Sequence, residues 1–123
     1  MPTAVMTIFA LELALLFTHE MDAIRRHEWK MFIGLNKMAD ETAYRIFLLL
    51  HIPLYALALL LLFSPFSLVG YYVVDIFLLA HMLIHLAFKN HPANQLDGII
   101  SKTIINAAGL LAVVHLIAIS WSR

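Results

Sequence analysis

Four long apolar runs separated by shorter polar stretches organise the chain: Ala4 to Ala23, Ala43 to Phe63, Leu68 to Phe88 and Ile99 to Trp121. A helix crosses a hydrocarbon core of about 30 Å in about 20 residues, so each run predicts a transmembrane helix. The runs are continuously apolar, whereas a barrel strand alternates lipid-facing with lumen-facing residues, so strands are not expected. Ser64-Pro65-Phe66-Ser67 breaks the chain between the second and third runs, and Asn90-His91-Pro92-Ala93-Asn94 opens the link before the fourth. The expected fold is therefore all-α, an integral membrane four-helix bundle forming one domain over residues 1–123. The longest link, Asp22 to Thr42, interleaves Ile24, Trp29, Met31, Phe32, Ile33 and Leu35 with Arg25, Arg26, Lys30 and Lys37. That mixture predicts a segment on the membrane surface, with Trp29 at headgroup level, acting as a lid.

Composition agrees with the pattern. With 63% hydrophobic residues in 123, the chain has more apolar surface than a soluble domain of this size can bury. The first run lacks a basic leader and a small-residue cleavage site, and it carries Glu12 midway, so it reads as a permanent span. Cysteine is absent, which excludes disulfides, thiolate metal sites and covalent c-type haem. A formal net charge of zero gives no reason to expect nucleic acid as a partner, and the expected surroundings are the lipid bilayer. Basic residues collect in the first and third links, with only Arg123 on the opposite side. The positive-inside rule then puts both termini outside the cytoplasm, with the cell's inner (plasma) membrane as the expected location.

The chemistry lies in ionisable groups at membrane depth. By helix rise, His19 lies about 6 Å inside the first run, His51 about 12 Å inside the second, and His85 and His81 about 5 and 11 Å inside the third, all measured from the basic end. His81 and His85 are four apart and share a helix face, which brings two imidazoles within reach of one ion. Asn106 falls on the same shelf. Ionisable groups in hydrocarbon are costly unless paired, hydrated or liganded. Neutral imidazoles and carboxylates from several helices are a ligand set for zinc or non-haem iron. The expected metal ligands are thus His19, His51, His81 and His85 around a divalent ion, with Glu20 or Asp22 as a catalytic base. An apolar or lipid-like substrate would reach the site between helices, for hydrolysis or for oxidation at a di-iron centre. Glu12 and Asp75, near mid-membrane, are expected to offset each other's cost through Tyr71 or Tyr72 or by protonation. His115 is expected toward the other face with no special role, and His27, Glu28 and His91 as solvated interfacial residues. Two alternatives fit the same residues: a b-type haem held by His51 with His81 or His85, and a non-enzymatic adaptor or assembly factor with structural histidines.

Around Thr18-His19-Glu20-Met21-Asp22 and His27-Glu28-Trp29-Lys30-Met31-Phe32 the chain resembles the HXXEE-type small four-span membrane proteins of unknown function. It departs from their motif in having Asp22 and Ala23 where two glutamates would stand. The resemblance implies a four-span layout and supplies no substrate.

Overall fold

The structure, a computed structural model, describes residues 2–122. Its four long helices are α1 (Thr3–Arg25), α2 (Asp40–Leu62), α3 (Ser67–Ala87) and α4 (Ile99–Trp121), with no strand among the described residues. All four are long and apolar enough to cross a membrane, as an integral membrane protein requires. Helix α2 begins three residues before its apolar run, because Asp40 and Glu41 occupy the first turn, where the helix dipole favours negative charge.

Helix α4 is the hub, packing on one side against α1 and on the other against α3. Its buried residues, Ser101, Ile105, Ala108, Gly109, Ala112, His115 and Ile119, repeat every three or four positions and are mostly small. Small side chains let helix backbones approach in a membrane, where lipid tails are as apolar as leucine and association depends on close packing. Gly109 illustrates it: a Cβ there would stand 2.6 Å from Met82 Sδ and 2.7 Å from Met82 Cβ on α3. Phe9, Leu16, Val74, Leu78, Ala108 and Ala112 form the core between α1, α3 and α4. Helix α2 is peripheral. It buries only Ala43 and Phe47, and it presents Leu49, Leu50, Ile52, Leu57 and Leu60 outward, an apolar face suited to lipid.

The α1–α2 link is buried only in part: Glu28, Trp29 and Met31 pack inward, while Phe32, Ile33 and Met38 stay exposed. His27 adopts a left-handed conformation (φ 52°), an uncommon state for a non-glycine residue, and turns the chain back under the end of the bundle. Two short 3-10 turns follow, Glu28–Met31 and Leu35–Lys37. Trp29 is buried with Ala23, Ala43 and Phe47, and its Nε1 donates to Asp40 Oδ1 at 3.0 Å. The indole is thus used to anchor the link to α2. The first 3-10 turn closes the basic end of the bundle from inside.

Candidate metal centre

Each helix brings polar groups inward on the same stripe that buries its apolar ones. On α1 the buried positions run Val5, Phe9, Glu12, Leu16, His19 and Ala23, at the spacing of one helix face. On α3 the stripe through Gly70, Val74 and Leu78 continues to His81 and His85. The outcome is two clusters, one near the basic end and one deeper.

The first consists of His19, Glu28, His81 and His85. His81 Nε2 lies 2.8 Å from His19 Nε2 and 3.1 Å from His85 Nε2. Glu28 closes the figure, with Oε2 3.3 Å from His19 Nε2 and Oε1 3.5 Å from His85 Nε2. Hydrogen bonding alone serves this arrangement poorly. If His19 and His85 each carry the one hydrogen that Glu28 can accept, those same hydrogens must also serve His81, whose single lone pair would accept both. Four lone pairs converging on one centre have no such conflict. Ligands about 2.0–2.1 Å from a tetrahedral ion stand about 3.3 Å apart, close to the separations between neighbouring groups here. Glu28 Oε2 is buried, and its contact here is the long 3.3 Å one with His19 Nε2. Burial pushes the Glu28 carboxyl up, but the hydrogen bonds and charge of His19 and His85 outweigh it and hold it well below the usual carboxylate range.

His51 is not in this cluster. Its Nδ1 lies 2.6 Å from the Phe47 carbonyl, an acceptor only, so that nitrogen carries a hydrogen. Its Nε2 lies 2.9 Å from Glu20 Oε2, and the two share a proton. Both ring nitrogens are therefore committed, and an axial bond to haem iron would have to break the Glu20 contact. Asp22 is turned toward α4, where it accepts a short hydrogen bond from Ser101 and pairs with Arg26 at 3.5 Å. Asn106 is outside this group of four but shares a recess with His85, Lys89 and Lys102.

A cavity of about 230 Å³ lies against the first cluster, with Glu20, Glu28, His51 and His81 in its wall beside Phe47 and Leu54. A second cavity of similar volume, lined by Leu13, Phe17, Leu59 and Val73, shares Glu20, Leu54 and Phe77 with it. An apolar recess between α1, α2 and α3 thus meets, at Glu20, one whose wall also holds Glu28, His51 and His81.

The residue sequence reasoning missed is Glu28. It was expected in solvent but is only 3% exposed. Its position depends on the left-handed turn at His27, an uncommon conformation for any non-glycine residue and so only weakly signalled by a histidine there. The expectation for His115 is also corrected. It is fully buried with Glu12 and Asp75, its Nδ1 3.0 Å from both Asp75 oxygens and 3.2 Å from Glu12 Oε1. By helix rise the three Cα positions differ in depth by about 7 Å at most. The gap closes because side chains lean toward the N-terminus of their own helix, and α4 runs antiparallel to α1 and α3. Glu12 and Asp75 both pair with His115.

No curated protein and no solved structure matches this chain. The family match shows no link to the HXXEE-type proteins. Residues 5–122 match the Family of unknown function (DUF6713), which covers nearly the whole chain, and the protein belongs to that family.

Proposed function

We propose that the protein is a membrane-embedded metalloprotein that binds a divalent ion, zinc or iron, through His19, His81, His85 and Glu28. The observation that carries this reading is the convergence of three imidazole Nε2 atoms and one carboxylate, with neighbouring separations of 2.8–3.5 Å. A divalent ion held there supplies Lewis acidity beside an apolar recess. Glu20 and His51 are the acid–base pair: they hold a proton between Oε2 and Nε2 and border the same cavity as Glu28 and His81. Asp22, tied to Ser101 and Arg26, positions α1 against α4. The substrate is an amphiphile whose chain occupies the apolar recess between α1, α2 and α3, and whose polar group reaches Glu20. The basic links face the cytoplasm, both termini face away from it, and the site opens on the cytoplasmic side of the inner membrane.

The test is metal content of the purified, tag-free protein in detergent. Wild type should hold metal, His19→Ala and His85→Ala should each lose most of the ion from this cluster, and His91→Ala should keep it. Wild-type content in the first two variants would remove the metal reading and leave a structural histidine cluster. Cysteine labelling that finds either terminus in the cytoplasm would reverse the proposed orientation.

A further inference from the structure

The deeper cluster is harder to explain as packing. Glu12, Asp75 and His115 are each 0% exposed and lie within a wall made by Phe9, Val74, Leu78, Ala108 and Ala112. Counting helix rise from His19 to Glu12, this cluster sits about 10 Å further from the basic end than the first. With both carboxylates ionised and the imidazole neutral, it carries two negative charges. The described lysines and arginines all lie at the other end of the bundle or in its links, and the ion pairs of Glu12 and Asp75 go to His115 alone. Insertion scales put a single Asp at a helix centre at ~2.5–3.5 kcal/mol, so the pair needs a proton or a cation to offset its charge.

His115 cannot compensate them by hydrogen bonding. Its Nδ1 faces three carboxylate oxygens at 3.0–3.2 Å, yet it has at most one hydrogen. Both Glu12 oxygens are buried without a hydrogen-bond partner, and so is His115 Nε2. Several acceptors crowded on one nitrogen, with carboxylate oxygens that make no hydrogen bond beside it, suit a ligand set. One ligand atom from each residue lies within 4.8 Å of the other two.

We propose that Glu12, Asp75 and His115 form a second divalent-cation site, stacked beneath the first in the same bundle. One imidazole and two carboxylates match zinc, manganese or iron in donor type, and a divalent ion cancels the two negative charges. The oxygen-rich donor set is harder than the three-imidazole set above it, so the two sites differ in metal preference. The site stands on its own residues and does not need the first to be a metal centre.

The test is zinc content, by mass spectrometry, of tag-free protein purified from cells grown in zinc-supplemented medium. With both sites filled, wild type should hold two ions per chain, and Asp75→Asn and His115→Gln should each hold one fewer. Glu12→Gln serves as a third near-isosteric variant if either fails to fold by circular dichroism. His85→Ala, which disables the other site, should retain one ion, and adding Asp75→Asn to it should leave none. If Asp75→Asn and His115→Gln keep the wild-type content, or if His85→Ala holds no metal while still folded, protons or packing neutralise the cluster and the second site is overturned. A wild-type content of one ion, lost on Asp75→Asn and kept in His85→Ala, would retain the second site and refute the first.

Discussion

Two ionisable clusters occupy the same bundle, and they differ in what surrounds them. The His19–Glu28–His81–His85 group is closed by a short 3-10 turn, adjoins a cavity, and has an acid–base pair at the cavity's edge. The Glu12–Asp75–His115 group is sealed by side chains of three helices. A site meant for chemistry needs a route for substrate and a proton carrier within reach, and on the proposed reading the first cluster has both. The second can hold a charge in place, where it would tie α1, α3 and α4 together at mid-membrane. The difference teaches that burial alone does not mark a reactive centre.

The largest predicted effect separates the two. Glu28→Ala should lower occupancy of the first cluster tenfold or more, because the remaining imidazoles no longer satisfy the ion's geometry, while leaving the deeper cluster filled. Metal analysis of Glu28→Ala combined with Asp75→Asn should give an almost metal-free protein. Equal metal in Glu28→Ala and wild type would place the ion elsewhere.

A smaller effect acts through packing. Gly109→Ala puts a methyl group into Met82, the neighbour of His81, and overpacking of this kind costs about 1–3 kcal/mol. Thermal denaturation should show the loss, and metal affinity should fall as His81 and His85 shift with α3. Unchanged melting would mean that α3 and α4 separate freely, contrary to a fixed ligand frame.

The turn that carries Glu28 offers two finer tests. Asp40→Ala removes the acceptor for Trp29 Nε1, a hydrogen bond worth about 1 kcal/mol, so amide exchange across residues 28–37 should quicken several-fold. The second is pH. Because the folded Glu28 carboxyl is held below its ordinary value of 4.5, its contribution is fully present above about that pH and is lost as pH falls further. In metal-free protein carrying Trp121→Phe, Trp29 emission should shift red as the pH drops below that range, and Glu28→Gln should flatten the step. A shift of equal size in Glu28→Gln would assign the acid transition to another group.

The helices were readable because four apolar runs of bilayer length leave few alternatives, and their observed ends differ from the runs by only a few residues. The gathering of His19, His81 and His85 was readable from depth and from the four-residue spacing on α3. His51 shows the limit of that method: depth put it on the shelf, but its partner was set by rotation about α2, which holds only two buried residues. Glu28 required a backbone conformation that its sequence signals only weakly. His115 was displaced in the reading because Cα depth ignores the lean of side chains on antiparallel helices. The bilayer-facing pattern is carried by many residues at once, whereas each of these positions turns on a single local geometry.

The central claim is that imidazoles and a carboxylate converge on one ion at the basic end of the bundle. X-ray absorption at the zinc edge, on Asp75→Asn so that only the first site is filled, tests it most directly. The account predicts a first shell of nitrogen and oxygen at about 2.0–2.1 Å with the outer-shell scattering of about three imidazole rings, lost in His85→Ala. A shell without imidazole scattering, or a protein that binds no zinc, would contradict it.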